Sequence, residues 1–542
     1  MARRHSLFLA FFTLVAGFPA AAPHGSSMTA GQIQSAGQIQ PADESYSYTY
    51  FNPHIISPNC VYSADPLRCT AEEGAMTLEA DAMADAVSPE LTTPDGAVFD
   101  TASFDSSSSL DGSTSPSTLD PATALDPTVQ IGEVATVPVR PIVRGFNTRQ
   151  EADYLGDKDP LGNPDLRRWN RAWKLIAGTH VRVHRLAVYW WDVQCRGAHQ
   201  WEWTKYVKVA QAAANRNIRL ILTPVGSPNW ARNGDRQTPT QTDPPDPCIA
   251  TDEAGLGIFA HPDMLDAWVE FIHHLAVVFE PFNPIGYEIW NEENSRDFWD
   301  RVGIPDRIPQ PPCPSCWTRL YCLATGQIDT DDSGRAVGVG GLAAYHQNQY
   351  VTVIVDNEEK QVLKNMRSSA FLQRAYAARA TIDICAEKPF DYVGYHPYVY
   401  RRYYDGMTPK GGIGKTPEML ELTSVRNVMI GHNQAAKRIW NTEWGFPSGT
   451  FVDSGDTHRI SEARQASLIV REHTYLANRQ DPSGFHYMRF SILFNPIDSF
   501  PNDVFSHIGV VWVSHKDQTL AEDPDQWRKK PSYGKWASLP QP

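Results

Sequence analysis

Two glutamates are the residues best placed to do chemistry, because each closes a short apolar run. Glu292 ends Gly286-Tyr287-Glu288-Ile289-Trp290-Asn291-Glu292, and Glu443 ends Arg438-Ile439-Trp440-Asn441-Thr442-Glu443. Runs of this kind read as buried strands that deliver their last side chains to a C-terminal tip. Two carboxylates on one scaffold are what hydrolysis of a glycosidic bond requires, one to protonate the leaving oxygen and one to attack the sugar carbon or to activate water. Asn291 offers an amide to a sugar hydroxyl, or simply caps the strand end. Glu288 lies deep in the first run and is expected in an internal ion pair, whereas Glu293, just past the tip, is expected to face loop solvent.

The elements that must hold these residues are legible from about residue 139 onward, where β-rich runs alternate with amphipathic stretches. Strands are expected at 141–147, 180–186, 218–225, 285–290, 335–342, 392–396, 438–442 and 486–493. Helices are expected at 165–177, 204–215, 262–279, 370–379, 417–432, 461–478 and 532–538, with a long Cys- and Pro-rich insertion after the fourth strand. Eight such units make an α/β chain of the (β/α)8 TIM-barrel class, whose active sites form at the C-terminal ends of the strands. The fourth and seventh strands lie on roughly opposite sides of such a barrel, so Glu292 and Glu443 would face each other across its mouth. On the second strand Arg185 shares the inward parity of Val181 and Val183, and His184 has the other parity of a structural histidine, although a one-residue shift of register would exchange the two.

Two more motifs stand at strand ends: Gly226-Ser227-Pro228-Asn229-Trp230-Ala231 after the third strand, and Asp391-Tyr392-Val393-Gly394-Tyr395-His396-Pro397-Tyr398 at the sixth. Together with Trp290-Asn291-Glu292 and Thr442-Glu443-Trp444, they resemble the clan A glycoside hydrolases over about residues 139–540. Glycoside hydrolase family 39 is the most similar, and family 5-like members come next. The resemblance implies a retaining enzyme with Glu292 as acid/base and Glu443 as nucleophile. It also implies His396, Tyr398 and Arg185 beside the nucleophile, and a polysaccharide or glycoconjugate substrate cleaved without cofactor or metal. Family 39 xylosidases usually carry a β-sandwich after the barrel, for which no residues remain, so an exo-xylosidase is not expected. Sixteen tryptophans are many for this length. Trp230 and Trp444, in strand-end motifs, are the ones expected to stack on sugar rings, against the plainer reading of core filling.

Other features bound the function. A net charge of -14 disfavours a nucleic-acid partner. Residues 1–22 have the basic, apolar and small-residue regions of a signal peptide, and no other stretch reaches membrane-spanning length, so a secreted monomer is expected. Residues 23–138 are rich in Ser, Thr, Asp and Pro and read as a disordered linker with a Cys60–Cys69 loop. Eight cysteines in an exported chain point to disulfides. The Cys313-Pro-Ser-Cys316 spacing lacks the second pair or histidine that would complete a zinc site. Two other classes compete with the glycosidase: a catalytically inactive carbohydrate-binding barrel, and a metal-dependent hydrolase, for which no strand-end His-x-His exists.

Overall fold

The computed structural model describes residues 140–542 except 149–153, 157–164, 196, 232–263, 300–310, 356–357, 386–387, 407–408, 454–455, 500–503 and 515–521. The signal peptide, the linker and the Cys60–Cys69 loop expected over residues 1–138 lie outside the described residues, as does Cys248.

The strands of five residues or more among the described residues, in chain order, are β1 (Val143–Asn147), β2 (Val183–Tyr189), β3 (Arg219–Val225), β4 (Gly286–Asn291), β5 (Ala336–Ala343), β6 (Gln349–Val355), β7 (Glu358–Asn365), β8 (Tyr392–His396), β9 (Arg438–Trp444), β10 (Gly449–Asp453), β11 (Asp456–Ile460) and β12 (Met488–Phe494). Eight of them, β1, β2, β3, β4, β5, β8, β9 and β12, pair in that order and close on β1 as a parallel barrel. Helices α1 (Arg167–Ala177), α2 (Thr204–Ala214), α3 (Leu265–Phe279), α4 (Pro314–Asp331), α5 (Ser368–Thr381), α6 (Pro417–Gly431), α7 (Glu462–Ala477) and α8 (Pro531–Ser538) connect or follow them.

Alternation along the strands divides the apolar side chains into two sets. One set lies between strands and helices and includes Phe146, Leu186, Leu222, Ile289, Val339 and Leu493. The other, Val183, Ile221, Tyr392, Trp440, Phe490 and Ile492, plugs the barrel from within. At its centre the Tyr392 and Trp440 rings are stacked, and Gly338 leaves room for the Tyr392 ring where any Cβ would overlap it. This plug is the floor on which the polar residues of the barrel mouth stand.

The structure departs from the sequence expectations in three places. The segment after β4, expected as an irregular insertion, contains α4. Pro314 fits its first turn, Cys313 caps it by accepting from the Cys316 amide, and Trp317, Leu320, Tyr321, Ala324 and Ile328 bury one face. Strand β2 begins three residues later than expected, because His180 adopts a left-handed conformation at the preceding turn. Two antiparallel hairpins, β6–β7 and β10–β11, form where the sequence analysis expects no strand. Disulfides join Cys313 to Cys316 and Cys322 to Cys385, the second tying α4 to the segment after α5. Among the described residues, no helix is long and apolar enough to cross a membrane.

Candidate active site

The mouth of the barrel is built in two tiers above the Tyr392–Trp440 floor. In the lower tier the Arg185 guanidinium, delivered by β2, donates through Nε to Glu288 Oε1 at 2.9 Å. It also donates through Nη2 to the same oxygen and, at 2.8 Å, to Asn291 Oδ1. The Thr442 hydroxyl from β9 donates to Glu288 Oε1 at 3.2 Å. Glu288 is therefore in the internal ion pair expected of it. Burial pushes its carboxyl up, and Arg185 pulls it back towards the ionised form.

The upper tier holds the two strand-end glutamates. One carboxylate oxygen of Glu292, one of Glu443 and a ring nitrogen of His396 all lie within 4.8 Å of one another. Glu443 accepts from three donors: Asn147 Nδ2 at 2.6 Å and Arg185 Nη1 at 3.3 Å on Oε2, and the Tyr398 hydroxyl at 2.7 Å on Oε1. Glu292 has one close partner, His396 Nδ1 at 2.9 Å from Oε1. Both glutamate side chains keep a little exposure, 13% for Glu292 and 12% for Glu443, so the pair can be reached from solvent.

This asymmetry separates the two acids electrostatically. Burial, then the charge of Glu443, pushes Glu292 well above the ordinary carboxylate range. Burial raises Glu443 as well, but Arg185, Tyr398 and Asn147 all favour its ionised form. The surroundings thus favour a proton on Glu292 more strongly than on Glu443. Burial keeps the Tyr398 hydroxyl protonated as a donor, and burial together with Arg185 keeps the His396 ring neutral.

Backbone geometry explains how β4 presents these groups. Glu288 points into the barrel, and regular alternation would send Trp290 there too. Trp290 instead has φ 74° and packs outward against Trp268 and Trp299, after which Asn291 turns inward and Glu292, with φ 48°, reaches over the mouth. Left-handed conformations at bulky residues are sparsely populated, and they re-aim the strand end where the carboxylate is needed.

His396 stands beside both glutamates, with its Nδ1 3.9 Å from Glu443 and 2.9 Å from Glu292, and its hydrogen bond goes to Glu292. Several other sequence expectations are corrected. Glu293 does not face loop solvent; it is fully buried, its carboxylate packed against Gly340. Trp444 is fully buried between Phe446 and Trp536 and donates to Ser491 Oγ, leaving no face for a sugar. Trp230 is nearly as buried, edge-on to Trp190, with its indole N–H bonded to the Gln194 carbonyl.

Two residues of the site escaped sequence reasoning. Asn147 ends β1 with the inward parity of Val143, a signal that could have been read. Phe505, 44% exposed, stands in the segment after β12 with its ring 5.8 Å from that of Tyr398. A buried ion pair between Lys530 and Asp498, with Lys530 also donating to the His507 carbonyl, fixes that segment. Among the described residues, the Glu292, His396 and Glu443 atoms are the ones that could approach a cation, but hydrogen bonds already engage them, and Arg185 supplies positive charge beside Glu443.

No family model matches the chain, and no curated protein does. Among solved structures, its neighbours are clan A glycoside hydrolases with barrels of eight parallel strands. A family 39 glycoside hydrolase from the gut symbiont Bacteroides cellulosilyticus WH2 is 14% identical, with a TM-score of 0.42, over 73% of this chain and 63% of that one. The chain thus spans less than two thirds of that structure's length. A family 5 subfamily 18 protein from Streptomyces cattleya, in complex with GlcNAc, is 15% identical over 74% of this chain and 82% of that one, with a TM-score of 0.45. A family 1 β-glucosidase from Thermotoga maritima is 12% identical over 74% of this chain and 98% of that one, with a TM-score of 0.44.

Proposed function

We propose that the protein is a retaining glycoside hydrolase that cleaves β-glycosidic bonds of a polysaccharide or glycoconjugate by double displacement. The observation that carries this reading is the close approach of Glu292 and Glu443, whose nearest oxygens lie within 4.8 Å, combined with their unequal surroundings. Retaining glycosidases hold their carboxyl groups about 5 to 5.5 Å apart, whereas inverting ones leave about 6.5 to 9.5 Å for a water.

In the first step the Glu443 carboxylate attacks the anomeric carbon while the Glu292 carboxyl gives its proton to the departing glycosidic oxygen. The ester that forms removes the charge of Glu443, and with it the repulsion that kept Glu292 protonated. Glu292, now ionised, takes a proton from water; the resulting hydroxide attacks the same carbon, and Glu443 leaves as a carboxylate. Arg185 and Tyr398 hold the nucleophile's oxygens, and Asn291, fixed by Arg185, offers its amide N–H groups to the sugar 2-hydroxyl. Export fits the N-terminal sequence and the Cys313–Cys316 and Cys322–Cys385 disulfides among the described residues, which suit an oxidising compartment.

The test is the configuration of the first-formed product, read by proton NMR on a panel of β-glycans and aryl β-glycosides. The expected first product is the β-anomer, with turnover lost in Glu443→Ala. An α-anomer would exclude double displacement, and absence of turnover across the panel would favour a non-catalytic carbohydrate binder.

A further inference from the structure

Behind Glu292 runs a line of hydrogen bonds that the two-step scheme leaves unused. It passes from Glu292 Oε1 to His396 Nδ1 at 2.9 Å, from His396 Nε2 to Thr442 Oγ1 at 3.2 Å, and from Thr442 Oγ1 to Glu288 Oε1 at 3.2 Å. We infer that Thr442 and Glu288 act as positioning residues that order the protons of this line, fixing the His396 proton on Nε2 so that Nδ1 accepts from a protonated Glu292. This inference deepens the glycosidase reading and rests on it for its catalytic meaning.

The ordering starts at its far end. Glu288 Oε1 receives two N–H groups of Arg185, so this oxygen acts as an acceptor and any proton on Glu288 would sit on the other oxygen. Thr442 has a single proton and gives it to Glu288 Oε1. Its oxygen can then only accept from His396, which requires N–H at Nε2. A neutral ring protonated at Nε2 has a bare lone pair at Nδ1, and a 2.9 Å contact with a carboxyl oxygen is a hydrogen bond only when that carboxyl carries the proton.

The ring has no freedom to escape this order. Gly341 lies against its Nε2 edge, where a Cβ would overlap the imidazole, and His396 itself is buried at the end of β8. The charged or titratable groups around the line are Glu443 on β9, Glu288 on β4, Arg185 on β2, and Glu293 and Asp297 following β4, with Tyr345 and Tyr398 beside them. Arg185 and burial both disfavour an imidazolium, the one state in which both ring nitrogens would donate.

The consequence for catalysis is directional. Before the first step Glu292 is held as the acid. After it has protonated the leaving oxygen, its carboxylate faces a lone pair on Nδ1, an unfavourable contact relieved when Glu292 takes the proton of the attacking water. By disfavouring ionised Glu292, the line keeps the acid protonated until the first step and favours the second proton transfer, in which Glu292 regains a proton.

The experiment compares wild type, Thr442→Val and Thr442→Ser in the full chain, using 15N-imidazole NMR and the pH profile of kcat/KM. The His396 signal is assigned by its loss in His396→Gln. Wild type is expected to show His396 neutral and protonated at Nε2. Thr442→Val should move proton population to Nδ1, where it donates to the Glu292 carboxylate, and shift the alkaline limb down by about one pH unit. Thr442→Ser should restore both. A wild-type ring protonated at Nδ1, an imidazolium near neutral pH, or an alkaline limb unmoved in Thr442→Val overturns the inference. If no glycoside is turned over, the glycosidase reading fails while the wild-type tautomer still decides the proton order.

Discussion

The Tyr398 hydroxyl donates to Glu443 Oε1 at 2.7 Å, on the carboxylate oxygen opposite the one held by Asn147 and Arg185. A hydrogen bond to a charged group is worth about 1.5 to 3 kcal/mol, so Tyr398→Phe should lower kcat/KM by about 10- to 100-fold. The lost bond favoured ionised Glu443, so its pKa rises and the acidic limb of the pH profile moves to higher pH. An acidic limb unchanged in Tyr398→Phe would show that the tyrosine does not bear on the nucleophile.

Arg185 is shared by Glu288 and Glu443 inside the barrel. Arg185→Met leaves buried carboxylates uncompensated, at a cost of about 3 to 5 kcal/mol. In the variant both glutamates are raised in the folded state above their unfolded values. The folded form then binds more protons, and stability is lost as pH rises from the unfolded carboxylate range through the raised folded values. Thermal unfolding should show a larger deficit against wild type at pH 7 than at pH 4.

Phe505 and Trp444 should respond in opposite ways. Phe505→Ala removes an exposed ring edge-on to Tyr398, and the stacking it offers a sugar is worth about 1 to 2 kcal/mol, so KM should rise about 5- to 30-fold with the melting temperature little changed. Trp444→Ala should cost about 3 to 5 kcal/mol of stability, because it empties a core position. Melting curves and KM values measured on the same preparations separate the two roles.

The Cys322–Cys385 disulfide closes a 63-residue separation. Loop-closure entropy assigns such a link about 4 kcal/mol. A Cys322→Ala, Cys385→Ala double variant should unfold at markedly lower denaturant than wild type, while reduction of wild type, which also opens Cys313–Cys316, should bring its midpoint to the variant's or below it.

The barrel and its acidic pair were legible because strands buried on both faces are near-continuous apolar runs, and the polar residues ending them stand out. Arg185 was legible from its parity with Val181 and Val183 taken together with the family resemblance, and the structure places Arg185, not its neighbour His184, against Glu288 and Glu443. What could not be read were the places where alternation stops. The left-handed turns at Trp290 and Glu292 decide that Glu293 is buried, and no periodicity announces them. Register shifts between β9 and β12 accompany Trp444 facing the helices instead of the mouth. The hydrogen bond of His396 depends on a difference of about an ångström between two carboxylates, which only coordinates give. The hairpins were legible in principle, since Asp356-Asn357 and Ser454-Gly455 each stand as a two-residue, turn-type spacer between β-rich runs, whereas α4 was hidden by the cysteines and prolines at its start.

The most direct test of the account is to trap the intermediate. Incubation with activated 2-deoxy-2-fluoro β-glycosides matched to the best substrate should arrest the enzyme as a glycosyl ester. Mass spectrometry of the digested protein is expected to find the added fluorosugar on the peptide carrying Glu443, at Glu443 itself. A label on Glu292 or another residue, or turnover of the parent substrate with no label anywhere, would contradict the assignment of Glu443 as the nucleophile.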